Sequence, residues 1–216
     1  MKIGVLGTGM VGNRIATKLV QLGYEVMMGS RTTNNEKAAA WAKNNGSKAV
    51  HGTFEEAVKF GNIVFLCVLG EAVLEVLKLA KPENFKDKTV IDLTNALDFS
   101  KGMPPTLFIS NTGSLGEEVQ KTIPGANVVK TLNMIGNEIM VNPKLAGGEG
   151  TMFMSGNSKK AKVEVEKLLK EFGWTDILDL GDITNARGTE MLLPAWLRIW
   201  QTLQDGNFAF KIVRKK

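Results

Sequence analysis

The opening stretch "KIGVLGTGMVGNRIATKLVQLGY", residues 2–24, leaves the chain little freedom. An apolar run from Lys2 to Leu6 meets Gly7, Gly9 and Gly12 in the spacing G-x-G-x-x-G. Beyond them Val11, Ile15, Leu19 and Leu22 recur at helical spacing. Strand, tight turn and helix in that order predict the first unit of a doubly wound sheet with a phosphate-binding turn. Gly7 permits the turn, Gly9 lets the backbone approach a pyrophosphate, and Gly12 lets the helix pack closely on the strand. The helix N-terminus then offers free N–H groups and a partial positive charge to the anion.

The rest of the chain continues the alternation. "YEVMMG", "KAVHG", "NIVFLCVL" and "TVIDLTN" read as strands, and "NEKAAAWAKNN", "TFEEAVKF" and "EAVLEVLKLA" as the helices between them. Thr53 and Glu56 form a capping box, Ser114 and Glu117 a second, and "NVVKTLN" a sixth strand. The predicted class is α/β: a doubly wound, mostly parallel Rossmann sheet with a small C-terminal α/β segment ending in a long helix. The irregular, glycine-rich "EIMVNPKLAGGEG" divides residues 1–145, a dinucleotide-binding Rossmann domain, from residues 146–216. In that second part "TMFMSGN" and "TDILDLG" flank a helix from about Ser158 to Phe172, stopped by Gly173, and a helix from about Ile183 bends at Pro194. So short a segment is expected to pack on the first sheet, completing a substrate cleft and a dimer contact.

"GSRTTNN", residues 29–35, follows the second strand, where an acidic residue would bind the adenosine ribose 2′-hydroxyl. Ser30 and Arg31 stand there instead, a hydroxyl and a guanidinium suited to a 2′-phosphate, so the implied cofactor is NADP(H). The expected cofactor contacts are Gly7, Thr8, Gly9, Met10, Val11, Gly12, Ser30, Arg31, Val68 and Asn95. The loops after strands four, five and six carry Val68–Leu69, Thr94–Asn95–Ala96 and Asn133–Met134–Ile135–Gly136. No acid, base and nucleophile cluster among them, so no side chain is assigned an acid–base role; alignment and water exclusion suffice for hydride transfer.

Other classes are disfavoured by what the chain lacks. Its one histidine, His51, and one cysteine, Cys67, rule out a multi-histidine or thiolate metal site, and Cys67 reads as a core residue. The net charge of +5 is dispersed apart from the final "RKK", so no nucleic-acid partner is expected. Without an apolar run of roughly 18 residues or a secretory start, the expectation is a cytoplasmic protein with no membrane partner. On the last helix Arg187, Met191 and Arg198 could face the cleft, while Met191, Trp196 and Trp200 read as core or homodimer contacts.

Four motifs, "GTGMVG", "GSR", "VVKTLNMIGN" and "GDITNARGTEMLLPAWLRIW", together resemble the NADPH-dependent reductases of the deazaflavin coenzyme F-420 over nearly the whole chain. The resemblance implies a small-molecule acceptor, F-420 or a flavin, whose ring stacks on the nicotinamide between the two parts of the chain. It implies Thr8, Ser30 and Arg31 as NADP contacts and Leu69 and Ile135 as neighbours of the hydride site. Archaeal members carry proline where this chain has Leu69 and histidine where it has Asn133. The dinucleotide domain also resembles the cytosolic part of membrane ferric reductases, which pass hydride to ordinary flavin. Two other readings stay open: an NADPH-dependent imine or carbonyl reductase, and a redox sensor that binds NADP(H) without turnover.

Overall fold

The computed structural model describes residues 1–215. Four strand–helix steps and a fifth strand open the chain: β1 (Lys2–Leu6), α1 (Met10–Gln21), β2 (Glu25–Ser30), α2 (Glu36–Asn44), β3 (Ala49–Thr53), α3 (Phe54–Phe60), β4 (Ile63–Leu66), α4 (Gly70–Leu79) and β5 (Thr89–Asp92). A two-stranded hairpin follows, β6 (Leu97–Asp98) with β7 (Thr106–Leu107), then α5 (Leu115–Thr122), β8 (Asn127–Thr131) and α6 (Asn137–Val141). The chain finishes with β9 (Thr151–Gly156), α7 (Lys159–Phe172), β10 (Asp176–Asp179) and α8 (Ala186–Leu203), which holds Pro194 within it. The hairpin was not foreseen, because strands of two residues fall below the length at which alternation registers.

Eight strands form one sheet in the order β10-β9-β8-β5-β4-β1-β2-β3. From β3 to β8 all neighbours are parallel, so their carboxyl ends share one edge, and the ligand crevice of such sheets lies there. β9 runs antiparallel to β8, and β10 parallel to β9. The segment after residue 145 therefore extends the sheet instead of building one of its own.

Each face of the sheet has its own core. Ile15 and Leu19 of α1, Trp41 of α2, Met140 of α6 and Val165 and Phe172 of α7 cover one face. Val58 of α3, Val76 of α4, Val119 of α5 and Ala186 of α8 cover the other. Local signals hold the helices in place. Thr53 and Glu56 close the expected capping box on α3, Ser158 caps α7, and Gly173 ends it in the left-handed conformation.

After α8 the tail returns along the sheet. The Thr151 N–H donates to the Phe210 carbonyl at 2.8 Å, and Asp176 pairs with Lys211 at 2.9 Å and Arg214 at 2.6 Å. The Thr151 hydroxyl, aided by these cations, holds the Asp176 carboxyl down at about 2. A carboxyl lowered on folding contributes stability that is whole above its unfolded value and lost as pH falls through the folded one. Asp176→Asn should therefore melt below the wild type at pH 6, with the gap closing as pH drops from about 4 to about 2 in paired thermal melts.

Candidate functional site

The site grows from the turn between β1 and α1. Gly7 takes φ 122°, a left-handed value that favours glycine, and its N–H donates to the Gly29 carbonyl at 3.0 Å. A Cβ on Gly12 would lie 2.1 Å from the Gly7 carbonyl oxygen, so helix and turn touch backbone to backbone. A Cβ on Gly9 would meet nothing within 4 Å, because it points into open space. The first turn of α1 has no acidic residue and no side-chain cap, so its N–H groups are left for a ligand. That cradle suits a pyrophosphate in chemistry and in room.

A cleft of about 470 Å³ opens from this turn. It brings together nine of the residues expected from sequence: Gly7, Thr8, Gly9, Met10, Val11, Ser30, Arg31, Val68 and Leu69. Asn35 at the start of α2 and Cys67 and Leu93 at strand ends also line it, and Phe54 of α3 with Ala72 and Val76 of α4 form an apolar wall that the motif alone did not reveal. Arg31 stands at the far end, largely exposed, with only a 3.3 Å pair to Glu75. Ser30 is buried and donates its hydroxyl to the Thr32 carbonyl at 2.6 Å, so its one proton is spent on the loop. Cys67 lies beneath the turn, where burial pushes its thiol well above the usual range and leaves it inert.

Three expected residues lie outside that lining. Gly12 sits under the turn, as close packing requires. The side chain of Asn95 is engaged with Asn133: its amide donates to the Asn133 carbonyl at 2.7 Å and its oxygen accepts from the Asn133 amide at 2.9 Å. Ile135 is buried in the core beside Ile139 and Met140. Two readings of the last helix change. Arg187 makes a two-pronged pair with Glu117 at 2.8 and 2.6 Å, and Arg198 folds back onto the Pro194 carbonyl at 3.1 Å. That pair also alters the second capping box. Ser114 caps α5, but the Glu117 carboxylate is held by Arg187 and by the Ser114 hydroxyl, and Arg187 keeps it below the ordinary glutamate range.

Beneath the loops lies a charge cluster that no sequence motif announced. Lys130 on β8 is wholly buried, 3.0 Å from Asp92 on β5 and 2.9 Å from Glu190 on α8. Glu190 also accepts from the Leu115 and Gly116 N–H groups at the start of α5, at 2.8 and 2.9 Å. Burial favours the neutral amine at Lys130, but the two facing carboxylates outweigh it and hold the ammonium above the usual lysine range. Among the described residues no group of three or more His, Cys, Asp or Glu side chains is placed to hold a metal ion, and no helix is long and apolar enough to cross a membrane.

Comparison with known proteins places this arrangement. Residues 2–96 match the family model for NADP oxidoreductase, coenzyme F420-dependent. The metalloreductase STEAP3 of Rattus norvegicus is 28% identical over 201 residues, 90% of this chain but 38% of that protein, so the chain spans well under half of that relative. The F420-dependent NADP reductase of Methanothermobacter marburgensis is 26% identical over 209 residues, covering 92% of each chain. The crystal structure of a proposed F420-dependent NADP-reductase from Arthrobacter sp. FB24 is 45% identical with a TM-score of 0.94, covering 99% of this chain and 100% of that one. With the glycine turn, the sheet order and likeness over its full length, the chain belongs to the family of coenzyme F420-dependent NADP oxidoreductases.

Proposed function

We propose that the chain binds NADP(H) in the cleft at the carboxyl edge of the sheet and catalyses hydride transfer between it and a deazaflavin of the F-420 type. One observation carries the reading: the cleft has a built anion seat at one end and no acid–base pair. Its only ionisable lining side chains are Arg31 and the buried Cys67. Gly9 and the α1 N-terminus hold the pyrophosphate, and Arg31 holds the 2′-phosphate. Bound there, the nicotinamide supplies the hydride. Val68 and Leu69 keep water from that end, and Asn95, pinned by Asn133 just after Leu93 of the lining, supports it from outside the cleft. The names of the full-length relatives favour a deazaflavin over an ordinary flavin as acceptor.

In this reading residues 1–145 bind the cofactor and residues 146–216 close the acceptor side. The exposed apolar side chains of α8, Met191, Trp200 and Leu203, meet their copies in a cytoplasmic homodimer. Steady-state oxidation of NADPH, with NADH as control, against F-420, FMN, FAD and riboflavin tests the proposal. Turnover with F-420 and NADPH is the expected result. Turnover only with flavins would move the acceptor to an ordinary isoalloxazine, and tight binding without turnover would make the chain a sensor.

A further inference from the structure

We propose that Lys130 is a positioning residue for the nicotinamide half of the cofactor: from inside the sheet it fixes the Thr94–Asn95 loop, which directly follows Leu93 of the cleft wall. The inference rests on the NADP(H) reading above. Asp92 and Lys130 are register partners on adjacent parallel strands, which sets their side chains together at the carboxyl end of β5 and one residue before that of β8. From there the pair grips Thr94 at every polar point. Asp92 Oδ1 accepts from the Thr94 N–H at 2.8 Å and from its hydroxyl at 2.7 Å, while the Lys130 ammonium donates to the Thr94 carbonyl.

The following residue has no slack either. Its amide is exchanged with Asn133, and its carbonyl oxygen lies 1.9 Å from where a Cβ on Gly70 would stand, at the first residue of α4. The third Lys130 donor goes to Glu190, so the loop is tied to α8 as well. Three buried charges between the sheet and α8 are an expensive way to gain stability, since apolar side chains of like volume commonly do as well. What the cluster supplies is direction. Each lone pair and proton that faces the loop has one partner, and the loop has one shape.

Calorimetric titration of the whole chain with two ligands separates this role from general damage. NADPH spans both halves of the cleft, whereas adenosine 2′,5′-bisphosphate carries the 2′-phosphate and adenosine but no nicotinamide. Lys130→Met strands two buried carboxylates, so the neutral triple variant Asp92→Asn, Lys130→Met, Glu190→Gln is measured beside it; it keeps the shapes and leaves no lone charge. The triple variant should fold, bind NADPH about tenfold more weakly than the wild type, and hold adenosine 2′,5′-bisphosphate within about twofold. Lys130→Met, if folded, should do the same. Equal weakening of both ligands, or no weakening of either, would overturn the assignment. Failure of the wild type to bind adenosine 2′,5′-bisphosphate would instead overturn the NADP(H) reading, and this inference with it.

Discussion

Alanine in place of Gly9 is expected to leave thermal stability almost untouched while removing most of the affinity for NADPH. Gly9 has φ −76° and ψ −176°, which an alanine adopts without strain, and its added methyl group would touch no protein atom within 4 Å. The melting temperature should stay within about 2 °C, as for surface substitutions that break nothing. The same methyl group would occupy the space in front of the α1 N–H groups. Hydrogen bonds to a charged group contribute about 1.5–3 kcal/mol each, so displacing a pyrophosphate from two of them costs about a hundredfold or more in affinity.

Gly12→Ala is the matching control, because its Cβ would stand 2.1 Å from the Gly7 carbonyl oxygen and 2.9 Å from the carbonyl carbon. Backbone must move, at a cost of about 1–3 kcal/mol or more, so this variant should melt several degrees lower as well as bind poorly. Calorimetry of both variants with NADPH checks the pair. A Gly9→Ala protein that binds NADPH like the wild type would mean that the turn cradles something else.

Arg31→Ala should collapse the preference for NADPH over NADH. The guanidinium is largely exposed and its 3.3 Å pair with Glu75 is loose, so the pair contributes little to folding and leaves the group available. Ser30 has already committed its proton to the Thr32 carbonyl, which leaves Arg31 with most of the 2′-phosphate. Loss of a charge-assisted contact predicts NADPH affinity lower by about 10- to 100-fold, with NADH changed by less than about twofold. Competition between the two dinucleotides, followed by protein fluorescence, reads the ratio directly. Equal loss for both would remove Arg31 from the site.

What the sequence made legible was local. The glycine turn, the Thr53–Glu56 box and the stop at Gly173 are each written within a few residues, and the structure keeps all three. The second capping box went astray because the Glu117 carboxylate meets Arg187, 70 residues later. Asn35 caps α2 by accepting from the Ala38 N–H, another short-range pattern. Lys130 shows the limit. A lysine in a strand reads as a solvated residue, and nothing at positions 92 or 190 says otherwise until the sheet and α8 bring the three together. Leu69 was placed at the cleft by strand order alone, whereas Ile135 follows an equivalent strand end yet turns into the core.

The core beneath the turn also bears on how such a chain can change over generations. Trp41 of α2 and Trp174 after α7 belong to one continuous apolar cluster, Phe65 of β4 lies 6.5 Å from Phe172, and the Trp174 indole donates to the Met140 carbonyl. The residues after 145 are therefore no detachable cassette. On the hydride-transfer reading proposed above, a lineage that alters its acceptor cannot borrow a new C-terminal segment by recombination without unpicking the interior of the rest. It must work at the rim instead, one side chain at a time, at exposed lining positions such as Leu69.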